Sequence, residues 1–207
     1  DPVNNQHRTT TTTYTYSTAV PGLVLSKVVD GPRTDINDST TYHYYPHDAA
    51  CVASSSPSTV TNLGCRGQLQ SVTNALGQTS TYDRYNHHGQ LEQETDANGV
   101  VTTYTYDLRQ RLLSKTVGGE VTNLTYDGVG QVTQLTLPDG SSLHYTYDAA
   151  HRLTGIEDTV GNQVIYTLDG EGNRIQEDVK DPSGVLTKTL TRSYDALNRL
   201  QQVTGVE

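Results

Sequence analysis

Residues 106–127 decide the fold of this chain: they read YDLRQRLLSKTVGGEVTNLTYD and both begin and end on a Tyr-Asp pair. This pair or a close variant returns at intervals of 20 or 21 residues and once after 26 residues. The six anchors are Tyr85-Asn86, Tyr106-Asp107, Tyr126-Asp127, Tyr147-Asp148, Leu168-Asp169 and Tyr194-Asp195. A period of about twenty residues is typical of repeat proteins, whose units are too short to bury an apolar face alone and therefore stack on their neighbours.

The residues that follow each anchor have the chemistry of a turn. Asp or Asn is often followed by Gly three positions later, as in residues 127–130, DGVG, which indicates a type I turn with a bulge at its fourth residue. The same pattern recurs half a repeat later, for example at residues 158–161 and 181–184. We expect tighter two-residue turns at Gly118-Gly119 and in residues 138–140, PDG. The chain therefore reverses direction about every ten residues.

Between the turns, side chains alternate as they do in half-buried strands. Leu143, Tyr145 and Tyr147 share one face, and His144 and Thr146 point the other way. The abundance of Thr, Val and Tyr also favours strands over helices. The predicted fold is all-β: tandem antiparallel hairpins, one per repeat, that form an extended, curved and twisted sheet with less than about a tenth helix.

Three of these units resemble the YD repeat, Tyr-Asp-x-x-Gly-Arg-Leu, of the Rhs family: residues 106–112, 147–153 and 194–200. That family includes bacterial polymorphic toxins, the C component of insecticidal Tc toxins and the ectodomains of teneurins. The resemblance is clearest over residues 85–200 and implies that residues 1–207 are one array within a longer protein. Four positions depart from the motif, with Gln110, His151 and Asn198 in place of Gly and Leu168 in place of Tyr.

The repeat residues are expected to be structural. A Tyr ring packs on neighbouring strands while its hydroxyl finds a polar partner, and an Asp that opens a turn accepts hydrogen bonds from nearby backbone N–H groups. The residues given this role are Tyr106, Asp107, Tyr126, Asp127, Tyr147, Asp148, Asp169, Tyr194 and Asp195. Tyr106, Tyr126 and Tyr147 share a phase and a face, which predicts equivalent, largely buried positions, and Tyr126→Ala is expected to cost about 3 kcal/mol.

Residues 46–65 interrupt the period with a Ser-rich, nearly uncharged segment that is typical of an inserted loop. This segment carries Cys51 and Cys65, which are the only two cysteines of the chain. Two interpretations stay open. The cysteines form a disulfide that closes the loop, as in exported β proteins, or they are reduced thiols of a protein that folds in the cytosol.

The sequence contains no catalytic motif, so no catalytic residue, cofactor or metal is expected. The candidate metal ligands are scattered: His43, His47 and Asp48, the adjacent His87 and His88, and Asp96 with Asn98. Their spacing matches neither a zinc site nor a calcium loop. We interpret these histidines as solvated strand and turn residues, and the acids as turn residues.

The formal net charge of -9, with no basic run, is unsuited to a phosphate backbone, and no apolar stretch is long enough to span a membrane. The family resemblance implies a secreted or cell-surface bacterial protein without catalytic activity. Its partners would be neighbouring repeats, a C-terminal toxin domain of the same parent and a secretion apparatus. Two functions stay open: part of a shell that encloses the toxin domain, or an extracellular array for adhesion or carbohydrate binding.

Overall fold

The computed structural model describes residues 9–33, 35–47 and 65–206, and all regular secondary structure in these ranges is β-strand. Every strand pair within them is antiparallel and joins strands that are adjacent in the sequence. The all-β fold class predicted from the sequence is therefore confirmed. The chain divides into two compact units, Asp1–Gly119 and Glu120–Glu207, which are described in turn.

The first unit contains eight strands that pair in chain order. They are β1 (Thr11–Tyr16), β2 (Val24–Asp30), β3 (Thr40–Tyr44), β4 (Leu69–Thr73), β5 (Thr79–Tyr85), β6 (Leu91–Thr95), β7 (Val101–Tyr106) and β8 (Leu112–Val117). The predicted loop of residues 46–65 falls between β3 and β4, and residues 48–64 of it lie outside the described residues.

The second unit also contains eight strands in chain order. They are β9 (Glu120–Tyr126), β10 (Val132–Thr136), β11 (Ser142–Tyr147), β12 (Leu153–Asp158), β13 (Gln163–Leu168), β14 (Arg174–Lys180), β15 (Leu186–Tyr194) and β16 (Leu200–Val206). Exposure alternates along β11 as predicted, because Leu143, Tyr145 and Tyr147 are half-buried while His144 and Thr146 are exposed.

Eleven turns of the described residues share one hydrogen-bond pattern. The fourth residue donates its backbone N–H to the carbonyl of the first, and the first residue donates its N–H to the carbonyl of the fifth. The turn that begins at Asp107 is an example, with Gln110 N to Asp107 O at 2.9 Å and Asp107 N to Arg111 O at 2.9 Å. This is the predicted bulged type I hairpin.

The prediction of a tight turn in residues 138–140 is wrong. Leu137 takes the first position of an ordinary four-residue turn, with Gly140 N to Leu137 O at 3.0 Å and Leu137 N to Ser141 O at 2.8 Å. The start of this turn could not be recognised from the sequence, because the Leu137 side chain has no hydrogen-bond acceptor. Asp139, at the third position, accepts instead from the backbone N–H of Ser141 at 2.9 Å. The predicted Gly118-Gly119 turn has the left-handed backbone that it requires, with φ of 55° and 98°.

The apolar core of the described residues is thin. Tyr45, 6% exposed, is the one buried hydrophobic residue, and no large side chain is fully buried. The Tyr45 ring meets the edge of the Tyr85 ring at a centroid distance of 6.4 Å, and its hydroxyl donates to the carbonyl of Tyr82 at 2.9 Å. Since burial is shallow, the strand ladders and turns make a large share of the ordered contacts.

Cys51 lies outside the described residues, so its disulfide with Cys65 stays a prediction, although Cys65 does not have a free thiol. We expect intact mass to show the loss of two hydrogens after purification without reductant, and reduction to leave the far-ultraviolet circular dichroism unchanged. The spectrum should persist because the bond would close an insertion and not a strand ladder. Two free thiols in the non-reduced protein would contradict the pairing.

Candidate functional site

The recurring chemical feature of the described residues is a carboxylate or amide cap at the first residue of the turn, present in every turn of the shared pattern except the one that begins at Leu137. Asp148 Oδ1 accepts hydrogen bonds from the backbone N–H groups of Ala150 and Arg152, both at 2.9 Å. Asp107 and Asp195 make the same two contacts in their own turns. The cap satisfies backbone donors that the tight reversal leaves without a carbonyl partner.

The fifth residue of the turn completes the cap. Arg152 Nε donates to the second oxygen of Asp148 at 2.7 Å, and Arg111 and Arg199 do the same to Asp107 and Asp195. Where the cap is Asn86, the fifth residue is Gln90, and the amides pair at 3.0 Å. No role was expected for the fifth residue from the sequence, although the Arg that recurs at this position was the available signal.

These contacts stabilise the ionised carboxylate. The backbone N–H of Arg152 is the main cause that lowers the pKa of Asp148, and the Arg152 side chain adds to it. The backbone N–H groups of Arg111 and Arg199 are likewise the main causes that lower the pKa values of Asp107 and Asp195. Because the folded-state pKa lies below the unfolded value of about 3.9, this stabilisation is present above pH about 4 and is lost as the pH falls through the folded-state pKa.

We therefore expect the stability of the chain to fall below pH about 4, and the double substitution Asp148→Asn with Arg152→Gln to make that fall smaller. The double variant reproduces the neutral pair of Asn86 and Gln90, so the cap persists while its titration is removed. Urea unfolding between pH 7 and pH 3 measures both. An acid dependence identical in the variant and the parent chain would contradict this account.

The fourth residue of each turn has a left-handed backbone. It is glycine in most turns, but Gln110, His151 and Asn198 also adopt positive φ, at 66°, 64° and 59°. Asn and His are enriched in this region, whereas Gln is not. Gln110 therefore stores local strain, and its backbone is held by the same pair of hydrogen bonds as the other turns.

Gln110→Gly is expected to raise the free energy of unfolding by about 0.5–1 kcal/mol, because glycine adopts this backbone without a Cβ penalty. The matched control is Gly89→Ala at the same position of another turn, where φ is 82° and an added Cβ would lie 3.2 Å from Gln68 Nε2. This control should lower the stability. Thermal unfolding measures both changes, and a destabilising Gln110→Gly would show that the Gln110 side chain matters more than its backbone.

In four repeats, the tyrosine of the Tyr-Asp or Tyr-Asn pair joins its strand to the preceding one. Its hydroxyl donates to the carbonyl of the first residue of that strand, at 2.7 to 3.2 Å in the four pairs Tyr85–Leu69, Tyr106–Leu91, Tyr147–Val132 and Tyr194–Arg174. Burial raises the pKa of Tyr106 and Tyr147, which keeps the hydroxyl protonated and able to donate. We call this contact the tyrosine clasp.

The clasp lies where two strands separate. The ladder of β6 and β7 ends at the pair Gln93–Thr103, although β6 extends back to Leu91 and β7 continues to Tyr106. Beyond that point β7 remains paired with β8 only, as far as the pair Tyr106–Leu112. The Leu91 carbonyl has therefore lost its ladder partner on β7, and the Tyr106 hydroxyl supplies a donor to it.

Side chains also connect one Tyr-Asp turn to the next. Gln90 Nε2 donates to the Gln110 carbonyl at 2.7 Å, and Gln131 Nε2 donates to the His151 carbonyl at 2.8 Å. Arg152 Nη1 reaches the Asp169 carbonyl at 3.0 Å. The fifth residue thus caps its own turn or extends to the following one, and Gln90 and Arg152 do both.

The candidate metal ligands are not brought together within the described ranges, and no group of three potential ligands occurs there. His43 and His47 are exposed, and Asp48 lies outside the described residues. The His87 and His88 rings lie side by side at the turn, with centroids 3.8 Å apart and a tilt of 46° between the ring planes. Asp96 accepts from the backbone N–H groups of Asn98 and Val100, both at 2.8 Å, in the manner of the other turn caps.

One shallow groove of about 350 Å³ lies over β11–β13, lined by residues that include Thr146, Glu157, Val164 and Tyr166. Glu157 accepts from Gln163 Nε2 at 3.2 Å, and the Tyr166 ring lies 3.6 Å from the Arg174 guanidinium carbon. The lining of this groove does not pair a nucleophile with a base, the arrangement that acid-base or covalent catalysis needs. The described residues also contain no helix that could span a membrane.

Comparison with known proteins agrees with this geometry. The RHS repeat profile matches residues 85–122 and 126–163. The crystal structure of TcdB2-TccC3-TEV is similar over 94% of this chain and 10% of its own, with 18% identity and a TM-score of 0.67. The crystal structure of TcdB2-TccC3 without its hypervariable C-terminal region is similar over 92% and 12%, with 18% identity and a TM-score of 0.51. No curated protein sequence matches the chain.

The chain is thus an array of β-hairpin repeats in which capped turns close the hairpins and tyrosine clasps join neighbouring strands. The repeats at residues 85–122 and 126–163 match the RHS repeat, as the Tyr-Asp period indicated. The chain spans about a tenth of the length of the solved proteins that it resembles.

Proposed function

We propose that this chain is a section of the wall of a secreted bacterial toxin shell, in which RHS repeats enclose a C-terminal toxin domain of the same parent protein. The observation that carries the proposal is the similarity to TcdB2-TccC3-TEV over 94% of the chain, with a TM-score of 0.67. The solved structures that resemble this chain are those of Tc toxin proteins. The match of the RHS repeat profile to this chain is consistent with that class of protein.

The physical properties of the hairpins support a role as a wall. The strands of each unit pair side by side, and buried hydrophobic residues are almost absent from the described ranges. Each unit is therefore held together from one strand to the next by hydrogen-bonded ladders, capped turns and tyrosine clasps. A structure of this kind extends by adding repeats and does not need a thick core.

The alternative of carbohydrate binding depends on exposed aromatic rings, on which sugars could stack. Of the 14 tyrosines, Tyr14 and Tyr16 are exposed and the others are half-buried or buried. Four of the half-buried tyrosines use their hydroxyls in the tyrosine clasp. This pattern favours a structural use of the tyrosines, so we propose that the chain is not catalytic and does not bind sugars through a tyrosine surface.

Limited proteolysis of the full-length parent tests the enclosed domain. We expect the region that follows the repeats to resist an added protease in the native protein, and to be cleaved as soon as the repeats are unfolded with urea. The same region expressed alone is the control for its intrinsic resistance. Equal cleavage of this region in the native parent and in isolation would contradict enclosure.

A further inference from the structure

Asn98 is the only asparagine in the sequence that is followed by glycine. It is the third residue of the turn that begins at Asp96, and Gly99 is the fourth, with φ of 83°. Residues 96–100 are all exposed. The side-chain amide carbon of Asn98 is an electrophile, and the backbone nitrogen of Gly99 is a nucleophile beside it. Because glycine has no Cβ, this nitrogen is sterically unhindered.

The Asn98 side chain is not held in place by its surroundings. Its backbone N–H donates to Asp96 Oδ1 at 2.8 Å, but its side-chain amide makes no hydrogen bond to any described residue. The Asn86 amide of the preceding turn, in contrast, pairs with Gln90 at 3.0 Å. The Asn98 amide can therefore rotate toward the Gly99 nitrogen.

One hydrogen bond restrains the nucleophile. The Gly99 N–H donates to the Asp96 carbonyl across the turn at 3.0 Å. Attack breaks this bond, because the nitrogen loses its proton and turns its electron pair toward the amide carbon. The bond lies at an exposed hairpin tip, where local opening costs much less free energy than global unfolding. The turn therefore slows the reaction relative to an unfolded chain but does not prevent it.

We propose that Asn98 is a self-modification site, which deamidates through a succinimide formed with Gly99 and uses water as the second reactant. The Gly99 nitrogen loses its proton and bonds to Asn98 Cγ, the Cγ–Nδ2 bond breaks, and ammonia leaves with that proton. Water then opens the five-membered ring. Cleavage of the new Cγ–N bond gives aspartate, and cleavage of the original peptide C–N bond gives isoaspartate.

The two products differ in their effect on the turn. Both add a negative charge two residues from the Asp96 cap. Isoaspartate also inserts a methylene group into the main chain, within the ring that the Gly99 N–H closes on the Asp96 carbonyl. Aspartate leaves the main chain unchanged, and Asp139 already occupies the third position of another turn. We therefore expect isoaspartate, and not aspartate, to disrupt the turn between β6 and β7.

Asp139 and Gly140 occupy the same two turn positions and provide an internal control. An aspartate forms the same succinimide, with loss of water, when its carboxyl group is protonated. Asp139 Oδ1 accepts from the Ser141 hydroxyl at 2.6 Å and from the Ser141 backbone N–H at 2.9 Å. These hydrogen bonds lower the pKa of Asp139 and keep it ionised. We expect Asp139 to stay intact where Asn98 reacts.

Incubation of the folded chain at mildly alkaline pH tests the site, with peptide mapping against a sample taken at the start. We expect the peptide that contains Asn98 to gain one mass unit at least about tenfold faster than peptides with any other asparagine. Enzymatic methylation of the freed α-carboxylate should detect isoaspartate in that peptide. An unmodified Asn98, or faster loss of another asparagine, would contradict the proposal. The reaction needs only this turn and water, so its outcome is independent of the proposed toxin shell.

Gly99→His is the matched variant that hinders the nucleophile and keeps the turn. His151 occupies the fourth position of another turn with φ of 64°, and a Cβ added at Gly99 meets no atom within 4 Å. The rate at Asn98 should fall at least about tenfold, with thermal unfolding as the check on folding. An unchanged rate, or aspartate without isoaspartate in the parent chain, would indicate direct hydrolysis of the amide and would contradict the succinimide.

Two substitutions of Asn98 itself complete the test. Asn98→Ser should abolish the acidic species that ion exchange separates from the aged chain, since Ser183 occupies the same position of another turn; a persistent acidic species would place the reaction elsewhere. Asn98→Asp carries the new charge without the methylene group. The isoaspartate fraction should unfold at a lower temperature than Asn98→Asp, and equal midpoints would contradict the expected disruption of the turn.

Discussion

Replacing Tyr106 by Ala is expected to lower the free energy of unfolding by about 2 kcal/mol. The ring is half-buried between strands, and the hydroxyl is the donor that bridges β7 to the Leu91 carbonyl at 2.7 Å. The expected effect is smaller than the 3 kcal/mol expected from the sequence for Tyr126→Ala, because the structure leaves both side chains half-buried and not fully enclosed. Urea unfolding followed by circular dichroism gives the measurement.

Tyr106→Phe separates the ring from the hydroxyl. It removes the clasp and keeps the packing, so we expect a loss of about 1 kcal/mol. Tyr14→Ala is the control for an exposed ring, and it should change the stability by less than about 0.5 kcal/mol. If Tyr106→Ala were as mild as Tyr14→Ala, the clasp would not contribute to stability.

The second large effect is expected at Thr102, the buried threonine of β7. Thr102→Asp should cost about 3 kcal/mol, because it places a carboxylate in a site that is 8% exposed and directly opposite Glu94 on β6. A new buried charge beside an existing one of the same sign cannot be satisfied by the neighbouring strands. The midpoint of urea unfolding at pH 7 should fall accordingly.

Thr12→Asp is the control for this substitution, because residues 12–16 and 102–106 both read TTYTY. Thr12 is exposed on β1, so the isolated chain should lose less than about 0.5 kcal/mol. The two substitutions lie in the same local sequence, so the difference between their losses of free energy of unfolding measures the effect of lying between two strands. Equal losses would mean that position in the sheet does not control the cost.

The period of the Tyr-Asp pair and the Asp-x-x-Gly turns predicted the hairpins correctly. The residues that favour each turn lie within the turn itself and can be recognised in the sequence. Leu137 shows where this fails, since its turn is imposed by Pro138, Asp139 and Gly140 together and its first residue gives no signal. Gln110 shows the opposite case. The turn forms with a residue that disfavours its backbone, because the flanking ladder and the Asp107 cap outweigh the strain.

The contacts between neighbouring strands and turns were not predictable from the sequence. The tyrosine clasp joins residues about fifteen to twenty positions apart, and it exists because β6 and β7 diverge, which is a property of strand geometry. The extension of Gln90 to the Gln110 carbonyl depends likewise on how adjacent turns align. A repeat period indicates that units stack, but the atoms that join them become visible only when the strands are placed.

The proposed function concerns the parent protein, and direct imaging of that protein by electron cryomicroscopy tests it most directly. The account predicts a hollow shell whose wall contains the hairpins of residues 85–200, with tyrosine clasps between successive strands and density for a further domain inside. An open rod with an empty interior and solvent-exposed repeats on both faces would contradict it and would favour an adhesive array.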